Sequence, residues 1–401
     1  MTNADETTGH ATGTGVWLVG ARGSVAVTAI AGAAALRAGL TEPIGCVSAT
    51  AAFAAAGLPD YRDLVFGGHD VSQISVLKQA EELAADGVLP ARLPAMVADE
   101  LRAAEAAIRP GVPRLGEERP ARDRINTLIA DIEEFRTARR LRRVVVINVA
   151  STEPPFPARA EHLRLPDLEA ALDRDQADLP PSSEYAYAAL RAGCPYVDFT
   201  PSTGVRLPAL DELAREVGVP YAGSDAKTGE TLLVSALAPM FTTRALRVRS
   251  WSGTNLLGGG DGATLADAGA AASKTVSKRR GLDSLLDATV DGRTHIDNVP
   301  AQGGWKTAWD HVGFEGFLGT RMTLQTTWQG CDSALAAPLL LDLARLLARA
   351  HEAGVTGAFS PAGFFFKDPV PATGAEVDYR LASQYDALVA WASSVSEADP
   401  R

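Results

Sequence analysis

The residues of this chain that could do chemistry are its few lysines. Of 38 Lys and Arg side chains only six are lysine, namely Lys78, Lys227, Lys274, Lys278, Lys306 and Lys367. A desolvated amine can lose its proton near neutral pH, whereas a guanidinium stays charged. Lysines retained in an arginine-using chain are therefore candidates for proton transfer, although codon usage that favours arginine would leave the same pattern.

The lysines differ in the sequence that surrounds them. Lys274 and Lys278 are four residues apart, so they share one face of a predicted helix. A solvated face is the ordinary explanation for such a pair, but the scarcity of lysine favours a site. Lys306 lies in a Gly-rich turn. Lys367 follows three phenylalanines, an apolar setting that disfavours the ammonium form; a surface lysine after an aromatic strand is the alternative.

Residues 224–231 are predicted to bind a phosphate group. They follow a predicted strand at 219–222 and open a helix. Backbone N–H groups at a helix N-terminus, with the hydroxyls of Thr228 and Thr231, would receive a phosphate well. Glu230 would oppose this binding unless its side chain faces away.

A second phosphate-binding turn is predicted near the start of the chain. The apolar run 15–20 ends at Gly20, and Ala-Arg-Gly-Ser then opens an Ala-rich helix. This strand, turn and helix suit a pyrophosphate, although a packing turn would look similar. No acid follows in 44–50, so Asp70 is the candidate for a ribose diol. Asp70 could instead, or in addition, cap a helix predicted from Val71.

Composition excludes several classes of protein. The net charge of −11 argues against nucleic acid as a partner but allows an anionic substrate at a local lysine cluster. Three scattered cysteines without CxxC spacing predict reduced thiols in a cytoplasmic protein rather than a zinc site. No apolar run approaches the roughly 18 residues of a membrane span. Residues 1–13 are predicted to be a disordered tail.

The elements that must position these residues fall into two kinds. Alternating strands and helices up to about residue 230 predict an open, mostly parallel sheet, with a long helical stretch at 76–108. Ser182 to Glu184 are predicted to cap a helix. Alternating segments at 244–252 and 311–328 then predict a separate α+β unit with an antiparallel sheet. Long helices return at 334–350 and about 380–394.

Several motifs in this order resemble the myo-inositol-1-phosphate synthases. They look closer to the short archaeal-type branch of that family than to its common short actinobacterial type. They are the 16–23 turn, Gly68-His69-Asp70, 148–153, 223–231, 251–262, Ser273-Lys274, Ser277-Lys278, Cys331-Asp332-Ser333 and Lys367. The resemblance implies an α/β fold in which a Rossmann NAD-binding domain at 14–231 is interrupted by an α+β catalytic and tetramerisation domain at 232–335. The segment 336–401 then completes the Rossmann domain, and the protein is a homotetramer.

The resemblance also implies a reaction. Glucose 6-phosphate is oxidised at C5, enolised at C6, closed by attack of C6 on the C1 aldehyde, and reduced to myo-inositol 1-phosphate, with NAD as an internal redox cofactor. Each step creates or discharges an oxyanion, which an ammonium can stabilise while also exchanging a proton. The alternative is the same chemistry on fructose 6-phosphate, giving a five-membered cyclitol phosphate. More remote are a non-catalytic NAD-binding protein and a plain dehydrogenase.

By this resemblance the catalytic residues are Lys274, Lys278, Lys306, Lys367, Asp225, Asp332, Asn255 and Asp261. The implied NAD-binding residues are Gly20, Ala21, Arg22, Gly23, Ser24, Val25, Asp70, Ala150, Ser151, Thr152, Thr200, Asp225, Asn255, Leu257 and Asp261. The residues implied to bind the substrate phosphate are Thr228, Gly229, Thr231, Lys278 and Lys306. No metal site is predicted from the residues, although Asp261 could ligate a mono- or divalent cation. Glu230, His69 and the Gly259-Gly260 pair depart from the family's usual residues, which bears on substrate fit.

Overall fold

The computed structural model describes residues 13–112, 119–258, 282–286, 288–372 and 374–397. All but the last residue of the predicted tail, and with it any test of its disorder, lies outside these ranges. No helix in the described part of the chain combines the length and apolar content that a bilayer crossing requires.

A seven-stranded parallel sheet forms the larger part of the molecule. Its strands are β1 (Thr14–Val19), β2 (Leu64–Asp70), β3 (Ile108–Pro110), β4 (Arg143–Asn148), β5 (Tyr196–Asp198), β6 (Pro220–Gly223) and β11 (Gly357–Ala358). Their spatial order is β3-β2-β1-β4-β5-β6-β11. The first six follow the 3-2-1-4-5-6 order of a Rossmann fold. Val144 to Ile147 are all buried because both faces of the sheet are covered, which confirms the predicted parallel sheet.

Helices cover both faces of this sheet. They are α1 (Ser24–Arg37), α2 (Val76–Ala85), α3 (Leu93–Met96), α4 (Ala98–Glu105), α5 (Ala121–Ala138), α6 (Leu165–Asp173), α7 (Pro181–Arg191), α8 (Pro208–Val217), α10 (Asp332–Glu352) and α11 (Leu381–Glu397). Helix α9 (Gly229–Thr243) packs instead on the second sheet, because its Phe241 shares a core with Trp251 and Val312. Short 3-10 turns include Ser360–Phe365.

Two details of the predicted helices are wrong. The stretch 76–108 is three helices and a strand, because Gly87 adopts a left-handed conformation (φ +74°) that ends α2. The predicted cap at Ser182 to Glu184 is absent, since α7 begins one residue earlier at Pro181. A proline suits the first turn of a helix, and the Ser182 hydroxyl instead donates to the Glu153 carboxylate.

The second sheet contains β7 (Arg247–Leu257), β8 (Thr294–Asn298), β9 (Trp305–Glu315) and β10 (Arg321–Cys331), in the order β10-β9-β7-β8. It is mixed rather than antiparallel as predicted, because β8 runs parallel to β7. The segment predicted as strand-like at 311–328 is a hairpin of two strands. Leu318 and Gly319 have positive φ there and reverse the chain.

The chain returns to the first sheet after β10. Helix α10 packs against α1 in one apolar core, and β11 pairs with β6. Asp342 in α10 accepts hydrogen bonds from the backbone N–H groups of Val47 and Ser48. The expected domain limits at 231/232 and 335/336 fall inside α9 and α10, so those limits stay a prediction.

Candidate active site

The turn after β1 lies at the carboxyl edge of the parallel sheet. Gly20 has φ +87°, and a Cβ there would come within 2.8 Å of the Cα of Ala150, at the end of β4. The N–H groups of Gly20 and Ala21 both bond to the carbonyl of His69. A left-handed residue packed against backbone explains why the position requires glycine. The turn ends at Gly23, which is the N-cap residue of α1.

A cleft of about 550 Å³ opens beside this turn. It is lined by Gly20, Arg22, Gly23, Asp70, Ala150 and Ser151 among others. These are six of the predicted NAD-binding residues. Ala21 is fully buried beneath the turn. The cleft therefore lies where a Rossmann fold holds the adenosine half of a dinucleotide.

Asp70 is the last residue of β2 and closes one side of the cleft. Its carboxylate accepts the N–H of Arg22 at 2.6 Å and the N–H of Ser72 at 2.7 Å. The predicted cap of a helix from Val71 is wrong, because α2 begins at Val76 and is capped by Ser75. Asp70 lines the cleft, and its role toward a ribose diol stays a prediction.

A second cavity, of about 350 Å³, lies on the far side of the same turn. The two cavities share Gly23, Val149, Ala150 and Ser151. The second cavity gathers most of the remaining predicted site residues, which are Ser24, Val25, Thr152, Thr200, Asp225, Thr228, Leu257, Lys306, Asp332 and Lys367. Residues far apart in sequence are therefore brought together as the resemblance implies.

Asp225 and Lys367 form a buried ion pair in this cavity. Lys367 Nζ lies 2.9 Å from Asp225 Oδ1, and the two side chains are 10% and 6% exposed. The backbone N–H of Lys367 also donates to the carbonyl of Asp225 at 2.7 Å. Lys367 was predicted to have an apolar setting. Its side chain is largely buried, but the ammonium is stabilised by a carboxylate.

The other oxygen of Asp225, Oδ2, is buried and lacks a hydrogen-bond donor among the described residues. Asp225 has φ +61°, a left-handed conformation that aspartate tolerates better than most residues. A buried acceptor without a donor is costly. A substrate hydroxyl bound in the cavity would supply that donor.

Lys306 and Asp332 form the second ion pair of the cavity. Lys306 Nζ lies 3.5 Å from Asp332 Oδ2, and the hydroxyl of Thr228 is 3.5 Å from Asp332 Oδ1. Gly229 has φ +51°, and a Cβ there would lie 3.6 Å from Asp332 Oδ1. Lys306 and Thr228 thus face one carboxylate from opposite elements, β9 and the start of α9.

Three helices begin at this cavity. Ser24 and Val25 start α1, Thr228 precedes α9, and Asp332 and Ser333 start α10. Each N-terminus presents unpaired N–H groups and the positive end of a helix dipole. With Lys306 and Lys367, the helix ends make the cavity suited to anionic groups such as phosphate.

Some predicted residues lie elsewhere. Thr231 lines a different cavity, together with Glu230, Arg293 and Asp310. Glu230 therefore lines a different cavity from Lys306 and Lys367, the two described lysines of the site. Asn255 is buried in β7, two residues before Leu257, and is not among the described residues that line the lysine cavity. Lys274, Lys278 and Asp261 lie outside the described residues.

His69, which departs from the family's usual residue, is built into the sheet. Trp17 Nε1–H donates to His69 Nδ1 at 2.9 Å, so Nε2 carries the proton and donates to Asp131 at 3.1 Å. Burial lowers the pKa of His69 despite the opposing effect of Asp131. A neutral imidazole held at both nitrogens serves to pack the end of β2.

Lys227 belongs to the predicted phosphate-binding segment 224–231, but its side chain extends toward α11. It is 6% exposed, and its Nζ donates to Gln384 Oε1 in α11 at 2.6 Å. The ammonium also lies 5.9 Å from the ring centroid of Phe364. Burial lowers the pKa of Lys227 to about 8. The apolar environment predicted for Lys367 is found here instead.

Three residues at or near the site were not among the predicted site residues. Glu105 binds Arg22 across 83 positions of the chain, and Glu153 accepts the backbone N–H of Ser182 at 2.8 Å. Glu105 belongs to no motif, whereas Glu153 is the last residue of the 148–153 motif but was not predicted to be a site residue. Ser333 follows directly after Asp332 and could have been inferred, because an N-terminal helix residue presents its N–H to the same cavity.

The fold and the cleft beside the glycine turn define an α/β protein of the dinucleotide-binding class. Comparisons with known proteins agree. An NAD-binding family model described as myo-inositol-1-phosphate synthase matches residues 14–392. The chain belongs to the myo-inositol-1-phosphate synthase family.

Individual relatives support this assignment. The chain is 33% identical to inositol-3-phosphate synthase 1 of Bacteroides thetaiotaomicron, over 94% of this chain and 92% of that protein. It is 29% identical to inositol-3-phosphate synthase of Spirodela polyrhiza, over 71% of this chain but 59% of the longer relative. The crystal structure of inositol-3-phosphate synthase from Caenorhabditis elegans superimposes with a TM-score of 0.84 at 22% identity, covering 96% of this chain and 86% of that one.

Proposed function

We propose that this protein is an NAD-dependent cyclase that converts glucose 6-phosphate to myo-inositol 1-phosphate. The observation that carries the proposal is the shared cavity of the Asp225–Lys367 and Lys306–Asp332 ion pairs at three helix N-termini. The similarity to inositol-3-phosphate synthases supports the choice of substrate.

NAD would supply a hydride acceptor that returns the hydride at the end of the reaction, so that no net oxidation occurs. The residues fit such a cofactor. Gly20 allows the close backbone approach, the N-terminus of α1 would receive the pyrophosphate, and Asp70 would receive the ribose diol.

Asp225 and Lys367 would handle the C5 oxygen of the sugar. The free Oδ2 of Asp225 accepts the hydrogen bond of the C5 hydroxyl. In its neutral form the amine of Lys367 would take the hydroxyl proton as the hydride leaves C5, and the ammonium so formed would return that proton when the ketone is reduced. Arginine could stabilise the oxygen in the same place but could not exchange the proton.

Lys306 would hold the substrate phosphate together with Thr228 and the N-terminus of α9. The carboxylate of Asp332 positions Lys306 and the threonine hydroxyl. The resemblance adds Lys274 at the aldehyde oxygen and Lys278 at the phosphate.

The test is a turnover assay with NAD and glucose 6-phosphate, followed by NMR of the phosphorylated product. We expect a phosphorylated inositol and no net NADH. A parallel reaction with fructose 6-phosphate checks the alternative, whose product would be a phosphorylated cyclopentane. Lys306→Met should lose activity, whereas Lys78→Met, an exposed lysine paired with Glu81, should not. No cyclic product from either sugar would refute the proposal.

We also propose a homotetramer. Phe317 and Leu318, at the tip of the β9–β10 hairpin, are 88% and 87% exposed, and Trp309 and Met322 on the two strands are each 39% exposed. A contact with a second copy would bury this apolar surface. Light scattering should give four copies per particle, and Phe317→Asp should reduce that number. A monomer at micromolar concentration would contradict the proposal.

A further inference from the structure

The guanidinium of Arg22 is held by Glu105 beside the adenosine cleft. Nη2 and Nε of Arg22 lie 2.6 and 3.2 Å from Glu105 Oε1. Nη1 donates to the carbonyl of Ser72 at 2.7 Å. The Arg22 side chain is only 13% exposed. All three nitrogens of the guanidinium are therefore engaged within the protein.

Glu105 is well suited to hold this cation. Burial raises its pKa, but the hydrogen bonds from Arg22 and from the backbone N–H of Val76 outweigh that effect and leave the pKa lowered. Glu105 is therefore ionised at neutral pH. Its Oε2 accepts the Val76 N–H at 2.7 Å, which fixes the carboxylate against the start of α2.

The cleft contains two residues with opposite preferences for a dinucleotide. An acid at the end of the second strand hydrogen-bonds a free ribose 2′-hydroxyl, whereas an arginine nearby accommodates a 2′-phosphate. Asp70 is the acid and Arg22 is such an arginine, and both line the cleft. The backbone N–H of Arg22 also donates to the Asp70 carboxylate, so the two residues are adjacent.

We propose that Glu105 sets cofactor specificity by holding Arg22 in this ion pair, so that the cleft favours NAD over a dinucleotide with a 2′-phosphate. The inference rests on the proposed use of NAD. Glu105 acts through Arg22 and is a positioning residue. Without its charge, the guanidinium can turn to a 2′-phosphate, while the Asp70 carboxylate remains in place for the hydroxyl.

The variant Glu105→Gln removes the negative charge of Glu105 and keeps the size of its side chain. Its amide oxygen can still accept the Val76 N–H, so the start of α2 is preserved. The matched control is Glu134→Gln, which removes an exposed glutamate paired with Arg109 at 3.5 Å and lies outside the cleft. Calorimetric titration of each purified protein with NAD and with NADP gives dissociation constants without any need for turnover.

We expect Glu105→Gln to tighten NADP binding about tenfold or more, since a charge-assisted contact is gained, and to change NAD binding by less than about threefold. The gain should disappear in Glu105→Gln/Arg22→Gln. Glu134→Gln should match the wild type for both dinucleotides. Equal weakening of both in Glu105→Gln, or no change in the NADP constant, would overturn the inference.

The single variant Arg22→Gln provides a second test that does not depend on how Glu105→Gln folds. Because Glu105 already holds the guanidinium, replacing Arg22 should leave the ratio of the NAD and NADP dissociation constants unchanged. A selective loss of NADP binding would show that Arg22 already serves the 2′-phosphate, which overturns the role of Glu105. A wild-type protein that binds neither dinucleotide would refute the proposed function itself.

Discussion

Lys227→Met should change how the stability of the protein depends on pH. The ammonium of Lys227 is buried, its described partners are the Gln384 amide oxygen and the ring of Phe364, and burial alone accounts for its lowered pKa. Methionine keeps the unbranched side chain and removes the charge. The comparison therefore isolates the free energy of burying this one cation.

The sign and size of the effect follow from the two pKa values. Lys227 titrates near pH 8 in the folded protein and near 10.5 when unfolded. Below pH 8 both states are protonated, and the folded state bears the full cost of the buried charge. Between pH 8 and 10.5 the unfolded chain binds more protons, so the stability of the wild type rises with pH. At about 1.4 kcal/mol per pH unit, the total is about 3 kcal/mol.

The assay is urea unfolding followed by the fluorescence of the six tryptophans, at several pH values between about 7 and 10. The difference in unfolding free energy between wild type and Lys227→Met should move in favour of the wild type as pH rises. Other titrating groups are common to both proteins and cancel. Lys78→Met, at an exposed lysine, should track the wild type. A difference that stays constant with pH would refute the reasoning.

Three further predictions concern the site and its turn. Lys367→Arg keeps the positive charge beside Asp225 but cannot exchange a proton, so turnover should fall about 100-fold or more; near-wild-type rates would show that proton exchange is not the role of the amine. Gly20→Ala should lower both the melting temperature and the affinity for NAD, because the new Cβ would lie 2.8 Å from Ala150 at a residue with a left-handed conformation. An unchanged melting temperature and an unchanged NAD dissociation constant would contradict the close approach. Gly32→Ala, in the middle of α1 with nothing within 4 Å of the new Cβ, should raise the unfolding free energy by about 0.5–1 kcal/mol, and a loss of stability in urea unfolding would contradict that open space.

The parallel sheet could be predicted from sequence because its signals are local. The apolar run 144–149 and the glycine turn after β1 each indicate an element without reference to the rest of the chain. The hairpin of β9 and β10 was predicted as one segment, since its reversal depends on positive φ at Leu318 as well as at Gly319. The parallel pairing of β8 with β7 is a long-range contact that no local pattern specifies.

The residues of the candidate site could likewise be predicted from local motifs, whereas their ion-pair partners could not. Asp225, Thr228, Lys306, Asp332 and Lys367 were found through motifs, and the structure places them around one cavity. The ion pair of each lysine could not be predicted, because a partner is set by how distant loops pack. The same limit explains why an apolar environment was assigned to Lys367, whose buried ammonium has a carboxylate partner, and not to Lys227, which is oriented toward α11.

The return of the chain from the second sheet to the first has a consequence for synthesis on the ribosome. A nascent chain that has emerged only through residue 330 lacks α10, so the part of the apolar face of α1 that packs against α10 is uncovered. It also lacks the loop that brings Lys367 to Asp225. The nucleotide-binding half therefore cannot reach its final form ahead of the half made after it. During translation its apolar surface stays exposed to chaperones while the whole second sheet is being made.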